Sequence, residues 1–434
     1  MKSKLFLVAA FAAVLVGCQK VNPESGSEIH VVDTLYIRTG ETIGKMVSIQ
    51  EYGVLPSNTA AQNKVALQKA IDAAAAAGIG LYVTPCENGY KCDGGITLKK
   101  NVSLIGAHGP TGHGTCNKAG DGPTGSLFVI TDTKNVFLTV ESATQIRGIQ
   151  FYYPDQAYND ASAIKEYKAT IQMSSKSSVQ GVTLTDLSFY GEYIGMDFKS
   201  QGSVICEQIL FENCFGYPLS GQFIMIDKCY DIPRILHCHV TPENMSEFGR
   251  SFSSAVIDKV VGKATYAYWI DHTDNAVLMD VFGSCTYGGI YFGASTYGQL
   301  TSFNLDCVKV GIYKGGDSTF NRNWEIAQGT IRANAGKLSS EIHPFYVSGE
   351  GHLSITNVTT FSGADEALTS CDTCMDFLYA TGCTALISVV SCTMKDYTSD
   401  SPFTNKNNGA KIRATSCVDK DGNFFDYSTT KAGI

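Results

Sequence analysis

The sequence predicts an all-β protein, a single parallel β-helix solenoid with an N-terminal capping α-helix. Short strand-like segments recur about every 20–30 residues, often beside Gly or Asn, and no helices separate them. Only one stretch has a strong helical pattern, and it lies near the start of the predicted body. Charged residues make up 17% of the chain, while Gly numbers 43 and Tyr and Phe 22 each, which is typical of β-rich proteins. A β-sandwich would also use many short strands, but the capping helix and the strand rhythm favour the β-helix.

The N-terminus carries an export signal. Lys2 and Lys4 precede a continuous apolar run over residues 5–16, which is too short for a permanent membrane span. The run ends at Gly17-Cys18, which resembles the lipobox of bacterial lipoproteins, and the alternative is an ordinary secretory signal with an incidental Cys. The resemblance implies a signal peptide at 1–17 and lipidation of Cys18. Because Gln19 follows, it also implies an outer-membrane lipoprotein that faces the periplasm or the cell surface.

The remainder divides into a tether and a body. Residues 18–45 contain Pro, Ser, Gly and Glu without sustained periodicity, and they predict a flexible tether behind the lipidated Cys. Residues 46–430 form the predicted β-helix. The capping helix is expected at about residues 59–77, because apolar residues recur at helical spacing and Gly78 follows. Its predicted apolar face is Val65, Leu67, Ala70, Ile71 and Ala74.

The start of the body resembles a known superfamily. A strand ending in Tyr52-Gly53 precedes the helix, and Gly80-Leu-Tyr-Val-Thr-Pro85 and then GGITLKKNVSLIG at 94–106 follow it. This order is similar to the N-terminal signature of the pectate-lyase-like superfamily, which includes polysaccharide lyases, glycoside hydrolases and phage tailspikes. The resemblance implies a right-handed parallel β-helix. The chain departs from the pattern at Gly53-Val-Leu-Pro-Ser and at Pro85-Cys-Glu.

Cysteine is abundant, with 15 residues in all. Export permits disulfides. Cys86 and Cys92 flank a short turn and can close a small loop, and some cysteines in strand-like segments can be bridged between neighbouring coils, although most are interpreted as packing residues. Cys371-Asp-Thr-Cys374 has redox-motif or zinc-like spacing, but no second cluster completes a metal site. The sequence therefore predicts no metal centre.

The densest cluster of polar residues lies between Asp227 and Asp274. Asp227 follows the apolar run FIMI, and Asp271 follows YWI, so we align the two strands as equivalent positions on neighbouring coils. Coils of a β-helix stack about 4.8 Å apart, which brings the two carboxylates together at a strand end. Such a pair can act as general acid with base or nucleophile in glycoside hydrolysis. Alternatively, an Asp cluster can hold Ca²⁺ while Arg234 or a His removes a proton beside a uronate carboxylate, which is lyase chemistry.

The remaining candidates follow from the same stretch and from the coils after it. His237 and His239 are two apart, so they share one strand face, and aromatic rings beside an acidic cluster suit a glycan groove. Asp231 and Asp274 also have the character of turn residues. Residues 244–263 form either a loop beside the groove or an irregular coil. The predicted catalytic residues are Asp227, Asp271, Arg234, His239, Asp274 and Glu325, and the predicted substrate-binding residues are Asp231, His237, Trp269, His272, Tyr291 and Trp324.

Composition narrows the partners. A net charge of −8 argues against nucleic acid or anionic lipid as the main partner. The membrane is expected to be contacted only through the lipid anchor. We predict a carbohydrate-active enzyme that cleaves a polysaccharide or oligosaccharide and needs no cofactor. A glycoside hydrolase ranks ahead of a polysaccharide lyase, which would use Ca²⁺, and the third alternative is a non-catalytic glycan-binding or adhesive protein.

Gly112-His113-Gly114 imitates a polygalacturonase motif, but its companion motifs are missing, so we interpret it as a loop. The sequence carries no signal for an oligomeric state.

Overall fold

The computed structural model describes residues 34–39, 42–108, 125–199, 202–316, 323–337 and 342–429. The predicted signal peptide, the lipidation site Cys18 and the motif around His113 lie outside the described residues. No helix among the described residues combines the length and apolarity needed to cross a bilayer.

The described chain consists mainly of short β-strands. In chain order the strands are β1 Thr34–Thr39, β2 Thr42–Ser48, β3 Gly80–Val83, β4 Tyr90–Lys91, β5 Ile96–Leu98, β6 Ser103–Gly106, β7 Leu127–Val129, β8 Leu138–Val140, β9 Gln145–Arg147, β10 Gln150–Tyr152, β11 Ala169–Met173, β12 Val179–Gln180, β13 Thr183–Thr185, β14 Ser188–Tyr190, β15 Ile194–Phe198, β16 Cys206–Glu207, β17 Leu210–Glu212, β18 Phe215–Gly216, β19 Gln222–Cys229, β20 Arg234–Leu236, β21 His239–Val240, β22 Tyr266–Thr273, β23 Ala276–Met279, β24 Phe282–Ser284, β25 Gly288–Phe292, β26 Gly298–Val308, β27 Val310–Lys314, β28 Asn323–Ala333, β29 His343–Val347, β30 His352–Thr360, β31 Leu378–Thr381, β32 Leu386–Val390, β33 Thr393–Met394, β34 Phe403–Lys406, β35 Lys411–Val418 and β36 Phe424–Ser428.

These strands form two mainly parallel sheets. Sheet B contains β5, β8, β11, β12, β15, β16, β19, β22, β25, β27, β29, β31 and β34, and sheet A contains the other strands. Each turn of chain, here called a coil, contributes to both sheets and pairs in parallel with the following coil. Among the pairings between the strands named above, only β1–β2 and β35–β36 are antiparallel.

Two α-helices and two 3-10 helices interrupt the strands of the described residues. The 3-10 helices are Ile49–Tyr52 and Pro242–Phe248. The predicted first helix, α1, spans Ala60–Ala77 and begins at a capping box formed by Thr59 and Gln62. It buries Leu67, Ala70, Ile71 and Ala74, but Val65, which we placed on its apolar face, is 70% exposed. The second helix, α2, spans Ser254–Val261 inside the segment whose structure the sequence left open.

Single left-handed residues bend sheet A at the same place in successive coils. At Asp186 and His237, φ is +54°, and their backbone amides donate to carbonyls of the next coil, those of Glu212 and Met279. Asn and Asp tolerate this conformation better than most other residues, which explains their frequency here. The bend positions with positive φ are Gly148, Asp186, Asn213, His237, Asp280, Ser302, Gln328, Asn357, Ser391 and Ser416.

Three of the longer excursions leave the coils at the same corner. They cover residues 154–168, 241–265 and 361–377, and each joins the end of a sheet A segment to the start of the next sheet B strand. The strands on either side of the second excursion stay in parallel register with their neighbours, because β19 still pairs with β22. The parallel register between neighbouring coils therefore does not depend on the length of the segment inserted at this corner.

The core lies between the sheets and repeats from coil to coil. Phe128, Phe151 and Phe189 stack along it, with ring centroids 6.4 and 5.2 Å apart. Cysteines also occupy stacked positions, as at Cys206 and Cys229, which are register partners. The described cysteines are free thiols, so Cys86 and Cys92 do not close the loop that their spacing allowed.

Candidate active site

Asp227 and Asp271 face each other on neighbouring strands of sheet B. They are register partners in β19 and β22, and both side chains are half-buried. Inward-facing Ile226 and Ile270 precede them, so alternation along each strand places the two aspartates on the outer face. The structure therefore confirms the pairing of the two carboxylates, which the alignment of the apolar runs before them predicted. We call them the carboxylate pair.

His272 joins the carboxylate pair. Its Nδ1 lies 2.9 Å from Oδ1 of Asp227 and 3.4 Å from Oδ1 of Asp271. The backbone of His272 is left-handed, with φ of +39°, and this turns its side chain to the same face as its neighbour Asp271. One ligand atom from each of the three residues lies within 4.8 Å of the others, so the group has the size of a divalent cation site as well as of an acid–base pair.

The two carboxylates differ in their surroundings. Burial raises the pKa of Asp271; the His272 imidazole opposes this rise and the adjacent Asp227 carboxylate adds to it. Asp227 has the shorter contact to His272. Environments that separate the protonation of two nearby acids are the usual basis of acid and base roles in one site. Asp271 is therefore suited to carrying a proton.

Glycine in the following coil provides the space that Asp271 occupies. A Cβ atom on Gly293 would overlap Oδ1 of Asp271 and would lie 2.7 Å from Cε1 of Tyr291. The φ of Gly293 is not positive, so the backbone does not require glycine there. Glycine is required at position 293 for steric reasons, because a larger residue would displace the Asp271 carboxylate.

A row of aromatic rings runs along the outer face from the carboxylate pair. We call it the aromatic ladder; its members are Trp269, Tyr291, Tyr313, Tyr346 and Tyr379, each in register with the next. The first two rings are 3.8 Å apart and nearly parallel at 18°, and the later centroids are each 5.2 Å apart. Because the ring faces pack on one another, the ladder offers ring edges and hydroxyl groups to the surface rather than open faces. Three of its tyrosines were not among the predicted site residues.

The coils on the other side of the carboxylate pair carry polar groups instead. Asp197 is the register partner of Met225, and it accepts hydrogen bonds from the backbone amide of Lys199 at 3.0 Å and from Nε2 of Gln172 at 3.4 Å. Burial raises the pKa of Asp197. Sequence reasoning missed it because it lies outside the dense polar stretch, although Asp after the apolar pair Gly195-Met196 repeats the pattern of the other strands.

Structural comparisons give the fold. No protein-family model matches this chain, and no curated protein sequence matches it. The tailspike gp42 of Acinetobacter phage vb_AbaP_AS12 matches 90% of this chain and 65% of its own, with 9% sequence identity and a TM-score of 0.52. The pre-mature gene product 12 of bacteriophage phi29 matches 86% of this chain and 52% of its own, with 12% identity and a TM-score of 0.50.

A third comparison is weaker. The catalytic unit of a GH87 α-1,3-glucanase from Streptomyces thermodiastaticus strain HF3-3 matches 86% of this chain and 63% of its own, with 10% identity and a TM-score of 0.43. This chain thus spans between half and two thirds of the length of these three proteins. The structural neighbours are right-handed β-helix proteins. This chain shares that fold. At such low identity the similarity shows the fold and not the activity.

Four predicted residues lie on sheet A of the β-helix and not beside the carboxylate pair. Arg234 is exposed in β20, and Glu325 is exposed in β28, where it accepts from Gln299. His239 is stacked between Phe215 and Phe282, at 4.9 and 4.2 Å. The prediction that these residues join the two aspartates is wrong, because the chain turns a corner of the β-helix after β19 and the later residues enter the other sheet.

His237 is the fourth of these residues. It occupies a left-handed bend of sheet A, and its Nδ1 lies 2.8 Å from Oδ2 of Asp280, the equivalent bend residue of the next coil. Its position is explained by the bend, and the predicted shared face with His239 does not form, because the bend separates their strands.

The remaining predicted residues are placed as follows. Asp231 lies at the corner after β19 and accepts from Nε2 of Gln208 at 2.7 Å, and the amide of Asp274, at the next corner, donates to the carbonyl of Cys229. Both therefore shape corners. Trp324 is 0% exposed, with its ring 3.5 Å from that of Phe292 and Nε1 donating to Thr296. The prediction that Trp324 binds substrate is wrong, because its side chain points into the core.

Sequence reasoning also missed a buried carboxyl group. Glu192 is fully buried, and neither of its oxygens makes a hydrogen bond of normal geometry with the described residues. The space for it comes from Gly216, where a Cβ atom would collide with the Glu192 side chain. Burial raises the pKa of Glu192 from its usual 4.5 to about 8, although the nearby amides of Glu192 and Tyr217 oppose the rise.

We expect Glu192→Gln to stabilise the protein increasingly as pH rises. Below about pH 4.5 the carboxyl group is protonated in both folded and unfolded chains, so it causes no penalty. Between this value and about pH 8 the unfolded chain releases the proton while the folded chain retains it, which destabilises the wild type by up to several kcal/mol. Thermal unfolding at several pH values measures the difference in Tm. In the exposed control Glu325→Gln, this difference should not change with pH, and a flat difference for Glu192→Gln would contradict the assignment.

Proposed function

We propose that this chain is an extracytoplasmic glycoside hydrolase that cleaves glycosidic bonds of a polysaccharide at the carboxylate pair. The observation that carries the proposal is the in-register pairing of Asp227 with Asp271 on the outer face of a β-helix, next to the aromatic ladder. Tailspikes and a glucanase share this fold, but their activities are not transferred by it. We also propose that the body forms one continuous solenoid with α1 covering its N-terminal end.

The proposed reaction assigns a different role to each carboxyl group. Asp271, whose pKa burial raises, donates its proton to the glycosidic oxygen as the bond to the anomeric carbon breaks. The Asp227 carboxylate attacks that carbon and forms a glycosyl ester. Asp271, now ionised, then removes a proton from water, and the resulting hydroxide equivalent releases the sugar from Asp227. One ligand atom from each of Asp227, Asp271 and His272 lies within 4.8 Å of the others. This distance is closer to the separation of the two carboxyl groups in retaining glycosidases than to their separation in inverting ones.

His272 is proposed as a positioning residue. Its Nδ1 contacts Asp227 at 2.9 Å, and this hydrogen bond holds the nucleophile in one orientation during both steps. An N–H donor also stabilises the ionised form of the carboxylate that must attack.

We further propose that Cys18 is lipidated and that the tether up to residue 45 holds the body at the outer membrane, facing the periplasm or the cell surface. The Leu-Val-Gly-Cys sequence at the end of the apolar run supports this location. The substrate would then be a glycan that reaches the cell envelope from outside or that forms part of it.

A polysaccharide lyase is the second candidate. The clustering of Asp227, Asp271 and His272 favours it, because two carboxylates and an imidazole within 4.8 Å can bind Ca²⁺ beside a uronate. In that case Ca²⁺ would neutralise the substrate carboxylate, and a base would remove the adjacent carbon-bound proton. A non-catalytic glycan-binding protein would need the aromatic ladder but not the carboxylate pair.

Product chemistry on a polysaccharide panel separates these candidates. The full-length chain, solubilised in detergent, is incubated with neutral and acidic polysaccharides, with and without Ca²⁺ or chelator. We expect new reducing ends without the ultraviolet absorbance of an unsaturated uronate, and activity that chelator leaves unchanged. Unsaturated products that require Ca²⁺ would establish the lyase. Binding without any cleavage would establish the glycan-binding protein.

A further inference from the structure

A concave site lies on the same face of sheet B as the aromatic ladder. It is a small cavity of about 170 Å³, lined by Tyr266, Tyr287, Val310, Tyr313 and Tyr346, and we call it the tyrosine pocket. Its walls come from four successive coils, and four of its five lining residues are tyrosines. A cavity of this size is below the roughly 300 Å³ at which sites for drug-sized ligands begin, so it suits a single small ring.

The pocket exists because one residue is missing a side chain. Gly288, the register partner of Tyr266, would overlap the Tyr266 ring if it carried a Cβ atom. Tyr266 therefore lies across the next strand. Its ring is nearly perpendicular to that of Tyr287 (84°) and inclined by 47° to that of Tyr313. Rings at these angles enclose a space, whereas the parallel rings of the aromatic ladder do not.

The tyrosine pocket is connected to the carboxylate pair through the aromatic ladder. The Tyr266 ring lies 5.4 Å from that of Tyr291 and 6.3 Å from that of Trp269. Tyr291 in turn lies close enough to Asp271 for the carboxylate to add to the effect of burial, which raises the pKa of Tyr291 to about 12. Since Tyr266 begins β22 and Asp271 lies near its end, the pocket and the carboxylates occupy opposite edges of the ladder.

The lining selects the chemistry of a ligand. The five lining residues carry no charged group, so none of them gives a bound carboxylate an ionic partner. An organic cation is disfavoured because the Lys309 ammonium group already lies 6.0 Å from the Tyr287 ring centroid. Tyrosines combine apolar ring surfaces with polar hydroxyls, and this combination matches the apolar CH surface and the hydroxyl rim of a sugar ring.

We propose that the tyrosine pocket binds one neutral pyranose unit of the glycan, either a chain end or a side branch. The proposal rests on the proposed function for its link to cleavage, although binding itself does not require catalysis. A walled pocket admits a terminal unit and excludes the middle of a linear chain. The substrate implied is a neutral glycan that presents such a unit a short distance from the cleaved bond.

Ligand-detected NMR on the full-length chain in deuterated detergent tests the pocket directly. The probes are D-glucose, D-galactose and D-mannose, with D-glucuronate and tetramethylammonium as charged comparisons, titrated over about 0.1–100 mM. We expect saturation transfer to at least one neutral hexose and a Kd that Tyr287→Ala raises by about tenfold or more. Tyr287 is the variant of choice because it does not belong to the aromatic ladder.

Two further variants keep this test independent of catalysis. Asp271→Asn should retain hexose binding, because Asp271 does not line the pocket, and Gly288→Ala should lose it by displacing Tyr266. Hexose binding that depends on Tyr287 in a chain without hydrolase activity would support the pocket and refute the proposed function. Hydrolase activity with no hexose bound, with binding unchanged by Tyr287→Ala, or with preference for glucuronate or tetramethylammonium, would overturn the pocket proposal alone.

Discussion

Replacing either member of the carboxylate pair by Asn should lower kcat on the cleaved glycan by about 10²–10⁴-fold, the usual contribution of a positioned acid or base. Asp271→Asn removes the proton donor, and Asp227→Asn removes the nucleophile while its amide preserves the volume beside His272. Reducing-end release, measured at saturating substrate with purified variants of equal Tm, checks the result. Because both aspartates are half-buried at a strand end, the fold should tolerate both changes.

Two matched variants show whether a loss is specific. Asp231→Asn changes an aspartate that lies only four residues from Asp227 but contacts Gln208 at a corner, and it should keep wild-type kcat. Gly293→Ala changes no charged group, but its added methyl overlaps Asp271, so its kcat should fall as well. Wild-type activity in both Asn variants would show that cleavage occurs elsewhere.

Trp324→Ala should cost about 3–5 kcal/mol of unfolding free energy, the range for truncating a large aromatic side chain in a core. The ring is fully buried against Phe292, and its Nε1 donates to Thr296, so the substitution leaves a cavity and removes one hydrogen bond that the Thr296 hydroxyl accepts. Denaturant unfolding measures the change through the shift in midpoint at constant slope.

Glu325→Ala is the control for Trp324→Ala. The two residues are adjacent in β28, but Glu325 is exposed, so its replacement should change the unfolding free energy by no more than about 0.5 kcal/mol. A Trp324→Ala variant that unfolds like the wild type yet binds glycan less tightly would contradict the core position.

The sequence was sufficient to predict α1, the strand-rich body and the pairing of Asp227 with Asp271. The pairing was predictable because an apolar run ends directly before each aspartate. Successive strand residues point to opposite faces, so each aspartate lies on the face opposite to the buried residue that precedes it. The same rule applies to Trp324: it lies two residues before the core residue Ile326 and therefore on the same face. Trp269, in contrast, lies between the buried Tyr268 and Ile270 and therefore points to the opposite face.

Other features could not be predicted from local pattern. Arg234 and His239 follow Asp227 closely in sequence, but a corner of only a few residues sends them to the other sheet. The sheet that each residue joins depends on where its coil turns. Excursions of different lengths make the number of residues per coil irregular, so the turning points do not follow from the sequence pattern. The tyrosine pocket depends on Gly288 leaving space for a ring of the preceding coil, which is a contact between residues 22 positions apart. Such contacts become visible only when the register of every coil is known.

Because these three excursions leave the coils at the same corner, two kinds of change can be made separately in this molecule. Backbone hydrogen bonds between coils set the distances along the outer face of sheet B, whereas segments 154–168, 241–265 and 361–377 leave and rejoin the coils without altering that register. Lengthening, shortening or exchanging these segments therefore offers a way to reshape the edge of sheet B at which its strands begin, while the carboxylate spacing stays constant. Under the proposed function, substrate specificity and catalytic geometry can then be varied one at a time, in the laboratory or by evolution.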